Sequence, residues 1–227
     1  MRYVWLALML GLIAGCGRSG SVPDGAYLRT EFAGGYLSNR LFVFQNGQVA
    51  GDVGGDLEHF DFAKHRQVSP TWIGTYERHG DTLKIVWADG TVQEGPIRID
   101  SSGEGFDFYG YGHAPIKPID DAGRVQGRYY GGASYGGIST AYDITFNGNG
   151  QYVSNQAASV RSTSDGSEVS GGSHGGDRGT YAIRGNVLTL NGSGGSQSVQ
   201  LYQVPTSGTG PIELLIMDGT VLTRDGD

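Results

Sequence analysis

The chain has 227 residues, 41 of them glycine, and a formal net charge of −7. An acidic chain without a Lys/Arg cluster suits neither nucleic acid nor an anionic lipid surface, so both partners are set aside. Cys16 is the single cysteine, which leaves no disulfide to form and no second thiolate for chemistry. Stability must therefore come from packing, over a length that allows one large or two small domains.

In chain order, the first element is an apolar run that starts after Arg2, extends from Tyr3 to about Ala14 and closes on Ile13-Ala14-Gly15-Cys16. About a dozen residues are too few for the roughly 20 that span hydrocarbon as a helix, and no later stretch is long and apolar enough. A basic start, an apolar centre and small residues before a cysteine form an export signal. The tetrapeptide resembles the lipobox of bacterial lipoproteins. That resemblance implies that residues 1–15 are a signal peptide and that Cys16 carries acyl chains, the membrane anchor. Gly17 stands where an Asp would resemble the inner-membrane retention signal, which implies the outer membrane of a Gram-negative cell, with the body in the periplasm or at the surface. Residues 16–24 are rich in Gly and Ser and read as a flexible tether.

Beyond the tether the chain repeats itself. Gly25-Ala26-Tyr27 matches Gly127-Arg128-Tyr129, and Phe44-Gln45-Asn46-Gly47 matches Phe146-Asn147-Gly148 with the leading Phe equally spaced. Gly74-Thr75-Tyr76, running to Leu83-Lys84-Ile85, matches Gly179-Thr180-Tyr181, running to Leu188-Thr189-Leu190; the offsets are 102, 102 and 105 residues. Three matches in order predict a duplication, residues 25–120 and 125–227. Within each half the period is two: Leu83, Ile85 and Trp87 share a face, as do Tyr142, Ile144 and Phe146, the pattern of half-buried antiparallel strands. Asn46-Gly47, Gly80-Asp81, Asp89-Gly90, Gly185-Asn186 and Asp218-Gly219 are hairpin turns by composition. About six or seven strands per half are expected. Two segments depart from the pattern. Asp56 to His65 spaces Leu57, Phe60 and Ala63 by threes behind a possible Asp56 cap and predicts a short helix, whereas Ala157 to Arg178 is Ser/Gly-rich and reads as a mobile loop.

The fold class expected is all-β: two tandem antiparallel meanders, each a small up-and-down barrel, with one merged barrel or sandwich as the alternative. The shared motif resembles the lipocalin-like repeats of bacterial envelope lipoproteins. That resemblance implies small barrels or curved sheets, among which a pocket for a hydrophobic or small ligand is common.

Candidate chemistry is sparse. Gly132-Ala133-Ser134-Tyr135-Gly136 satisfies G-x-S-x-G, but a nucleophile elbow needs a following helix, and a strand is expected instead; a hydrolase would require Ser134, His174 and Asp177 to meet. His59, Asp61 and His65 do not suffice for a catalytic metal, because His59 would leave the face that Asp61 and His65 share. Glu94, Asp100, Glu104 and Asp107 flank turns and read as solvated. No catalytic set, metal or cofactor is expected. Aromatic residues gather where the halves join: Phe106 and Phe108 with Tyr109, Tyr111, Tyr129, Tyr130 and Tyr135. The five tyrosines form the expected binding surface, suited to stacking on a partner protein, a glycan or a small apolar ligand. The resulting expectation is an outer-membrane-anchored lipoprotein with a noncatalytic binding or structural role in the envelope.

Overall fold

Alternation becomes strand wherever one face has a core to enter. A computed structural model describes residues 22–33, 36–135, 138–164, 167–206 and 208–226; Cys16 and the signal segment lie outside them. The first half holds β1 (Gly25–Ala33), β2 (Tyr36–Gln45), β3 (Gln48–Gly51), β4 (Ile73–His79), β5 (Thr82–Trp87), β6 (Val92–Ile99), β7 (Phe106–Phe108) and β8 (Tyr111–Pro118). Each strand pairs antiparallel with the next, and β8 returns to β1 with Ala26 opposite Ile116. The result is a closed eight-stranded barrel, in which the first strand is paired to the last. Eight strands exceed the expected six or seven because β3 and β7 are too short to show a period.

The barrel interior is filled. Tyr27, Phe42, Phe44, Leu83, Ile85, Trp87, Phe106 and Phe108 form one buried cluster. Tyr27 meets Phe106 edge-on at 5.0 Å and Phe44 meets Tyr76 at 5.1 Å, the arrangement aromatic quadrupoles prefer. Asn46 and Gly47 take φ of 51° and 76°, as Asp218 and Gly219 take 48° and 86°. Positive φ at both central positions suits the twist of the flanking strands.

The remaining strands are β9 (Gly127–Tyr135), β10 (Ile138–Phe146), β11 (Gln151–Ser164), β12 (Ser167–Arg184), β13 (Val187–Gly192), β14 (Gly195–Gln203), β15 (Leu214–Met217) and β16 (Thr220–Arg224). They pair in chain order, and β16 pairs back to β9. Their core is Tyr129, Ile144, Phe146, Tyr152, Leu188, Leu201 and neighbours. β14 also pairs with β8, Tyr202 opposite Pro118 and Gln203 opposite Lys117, so all sixteen strands share one sheet.

A third cluster seals this connection. Leu28, Leu41, Val43 and Ile116 on the outer barrel wall pack with Leu57, Tyr202, Val204 and Ile216. Tyr202 is its polar hub: the hydroxyl accepts from Leu57 N at 2.7 Å and from Asn186 Nδ2 at 2.9 Å.

Three sequence expectations need correction. The helix is α1 (Phe62–Val68), capped by Asp61, whose carboxylate accepts from Lys64 N; Asp56 instead closes a turn by accepting from Glu58 N and His59 N. Residues 157–164 and 167–178 are not a loop but the far parts of β11 and β12, because an antiparallel ladder satisfies their backbone despite the glycines. The tether ends sooner than residue 24. Val22 is fully buried, and the Asp24 carboxylate accepts from Asn46 N and the Tyr76 hydroxyl.

Candidate functional site: the barrel mouth

Strand direction defines two barrel ends. β1 ends, β2 begins, β5 ends and β6 begins at the same end, and there a cavity of about 370 Å³ opens. Its wall is Arg29 and Glu31 from β1, Arg40 and Phe42 from β2, Trp87 from β5 and Trp72 from the 3₁₀ turn Pro70–Trp72 that follows α1. Position along the strand explains these residues. Tyr27, Arg29 and Glu31 share the inward parity, so the face that is aromatic in the middle of the barrel becomes charged at its rim.

The register is decisive for the electrostatics. Arg29 lies opposite Arg40 on β2 and opposite His113 on β8. Arg29 ion-pairs with Glu31, and its guanidinium carbon lies 4.5 Å from the Tyr111 ring centre and 5.5 Å from that of Phe42. Arg40 lies 4.7 Å over Trp72, which meets Trp87 edge-on at 5.8 Å. Trp72 in turn rests on Gly51, where a Cβ would come within 2.6 Å of the indole. His113 is buried and stacks on Phe106 at 4.4 Å, its Nδ1 donating to the Tyr111 carbonyl at 3.0 Å. Burial first, then the Arg29 charge, push His113 down to about 4, so the ring is neutral at pH 7. The mouth can hold an oxygen-bearing small molecule against fixed guanidinium groups. Its filled floor leaves no room for an enclosed apolar ligand.

The five tyrosines do not form one surface. Tyr109 and Tyr111 sit at the β7–β8 turn. Tyr109, at φ 56°, lays its ring against Gly95 and donates to the Glu94 carbonyl. Tyr111 faces Arg29 at the mouth. Tyr129 is a correction: fully buried, it donates to the Ile212 carbonyl at 2.8 Å and offers no surface, and burial pushes its hydroxyl up to about 12. Tyr130 is half-exposed beside Gly131, Ala141 and Asn155 in a shallow groove on β9–β12. The side chain of Tyr135 lies outside the described residues, as does Cys16. Phe106 and Phe108 are core, and the cluster at the junction instead holds Tyr202 with Phe60 and Phe62 packed against it.

The other candidates have structural employment. Ser134 is in β9 and leads into another strand; β10 and β11 separate it from β12, which carries His174, by roughly 14 Å of sheet at the usual strand spacing. Asp177 accepts from the Tyr152 hydroxyl and from Ser193 N and Oγ, which hold its carboxyl down at about 2. His65 Nε2 meets the Gly51 carbonyl, His59 Nδ1 meets Asp56, and among the described residues no three His, Cys, Asp or Glu side chains converge on a metal position. Glu94 and Glu104 face Lys84 and Lys117, and Asp100 caps its own turn. Sequence reasoning missed Arg29, Arg40 and Trp72. The usable signal was charge on the inward parity of β1, two residues beyond Tyr27. Comparison of the chain with protein-family models, with curated proteins and with solved structures returns no match.

Proposed function

We propose that this chain is a noncatalytic binding module of the bacterial cell envelope. Lipid on Cys16 anchors it to the outer membrane, and the mouth of the β1–β8 barrel takes a small ligand from solution. The observation that carries the binding is the open 370 Å³ mouth, in which two guanidinium groups and two indoles converge on space that no side chain of the described residues fills. The run Ile13-Ala14-Gly15-Cys16, followed by Gly17, supports the anchor. Anchoring raises the local concentration of the mouth near the membrane. The repeated turns support a further reading, that β1–β8 and β9–β16 descend from one barrel unit and act as two modules: Tyr76 N bonds to the Gly47 carbonyl at 2.9 Å, as Tyr181 N does to that of Gly150 at 2.8 Å.

A second reading, a docking surface for an envelope protein, is favoured by the groove of about 520 Å³ beside half-exposed Tyr130, floored by Gly131, Gly175 and Gly176. One experiment separates the two readings. Intact protein extracted from membranes should show an acylated Cys16 at its amino end by mass spectrometry, and Cys16→Ala should leave the membrane fraction. Small metabolites titrated into that protein should shift the indole NMR signals of Trp72 and Trp87. Shifts confined to β9–β12 would move the function to the Tyr130 groove.

A further inference from the structure

We infer that the ligand of this mouth carries an oxyanion, a carboxylate or a phosphate, which Arg40 receives; the inference rests on the mouth being the binding site. Arg29 and Arg40 are direct cross-strand neighbours on the inward face. Like charges at such positions destabilise a sheet, so the pairing requires an explanation beyond folding. The β9–β16 strands show that the frame does not need it. Tyr129 lies opposite Ile144 there as Tyr27 lies opposite Phe42 here. One step further along, Gly131 is opposite Tyr142 and Leu222, where the barrel has Arg29 opposite Arg40 and His113.

Compensation at the mouth is half complete. Glu31 answers Arg29 alone. Arg40 lies over the face of Trp72 and lines the cavity, and among the described residues its five N–H donors have no ion-pair or hydrogen-bond partner. Buried Arg29 Nε likewise has no acceptor. The remaining charged group on the wall is Asp89, exposed in the β5–β6 turn, whose carboxylate accepts from Thr91 N. His113, uncharged, adds no positive charge but also neutralises none. A planar donor fork fixed on an indole matches two oxygens of a carboxylate or phosphate. The cavity sets the rest of the ligand at about the size of a monosaccharide, at the lower end of small-molecule sites of roughly 300–1,000 Å³.

The sequence supplies its own reporter. Its three tryptophans are Trp5, Trp72 and Trp87, so in the full chain carrying Trp5→Phe every indole lines the mouth. Fluorescence of that protein would be followed against sodium glucuronate, glucose 6-phosphate, inorganic phosphate and neutral glucose, at low and high sodium chloride. A saturable change with an anion, weakened by salt and absent with glucose, is expected. Glucuronate and glucose 6-phosphate distinguish the carboxylate from the phosphate source. Arg40→Gln should weaken anion binding by about tenfold or more, the scale of a lost charged hydrogen bond, and Arg40→Lys should restore part of it; a thermal melt verifies that both variants fold. Equal binding of glucose and glucuronate, untouched by Arg40→Gln, would overturn the oxyanion while leaving the mouth a binding site. Silence toward all four probes would overturn both.

Discussion

The β1–β8 barrel and the β9–β16 strands share a frame and differ at one end. In both, a tyrosine two residues after a glycine of positive φ enters the core, Tyr27 after Gly25 and Tyr129 after Gly127, and its hydroxyl donates to a backbone carbonyl. Beyond that layer they part. The barrel ends in Arg29, Arg40, His113 and two tryptophans around an open mouth, whereas the β9–β16 strands carry Gly131 two residues beyond Tyr129, so close to β16 that a Cβ would lie 2.2 Å from the Val221 carbonyl. It also extends β11 and β12 into a long hairpin. The shared layer is what pairing and packing require; the divergent layer is where a role can be installed without disturbing the fold.

The comparison breaks most clearly at its shared layer. Phe44 and Phe146 are buried at matching positions, and Phe44→Ala and Phe146→Ala should each cost about 3–5 kcal/mol in urea denaturation. Two transitions, each lowered by one variant, would support separate modules; one transition lowered by both would show a single cooperative unit.

His113 sharpens the contrast, since its counterpart is Leu222. Its folded-state pKa of about 4 lies below the ordinary 6.5, so the unfolded chain takes up the proton first. The associated stability is complete above pH 6.5 and is lost as pH falls toward 4, a swing on the order of 3 kcal/mol. His113→Leu, which copies the second half into the first, should flatten stability between pH 7 and 4.5. An unchanged slope would mean that another group titrates there.

The smallest effect concerns the connection between the halves. Tyr202→Phe removes the acceptor for buried Leu57 N and should cost about 1–3 kcal/mol. If the halves separate, that loss should appear as weaker coupling between transitions, read from calorimetry of the single variant and its combination with Phe44→Ala.

Much of the frame was legible in the residues. Leu83, Ile85 and Trp87 alternate with Lys84 and Val86, and all three are buried. What was illegible has physical causes. Leu201 to Val204 is buried on both faces because β14 packs into its own core and against the barrel, so alternation disappears there. Composition misread 157–164 and 167–178, since a hairpin ladder satisfies backbone groups whatever the side chains. Tyrosine enrichment pointed to a surface, but Tyr129 faces the core, and only register shows which member of the Tyr129-Tyr130 pair turns inward. The mouth escaped because two arginines separated by ten residues of sequence become neighbours only when β1 and β2 are paired.

The clamp on Asp24 has a consequence for standoff. Chain geometry allows the residues between Cys16 and buried Val22 to span no more than about 20 Å, even fully extended. With Cys16 lipidated as proposed, the end of β1 fixed by Asp24 would be leashed close to the lipid surface. Arg29 and Glu31 lie several residues up the same strand, at the opposite rim. On that reading a molecule entering the mouth would arrive from the aqueous side, and hydrophobic cargo drawn straight out of the bilayer would meet the opposite end of the barrel first.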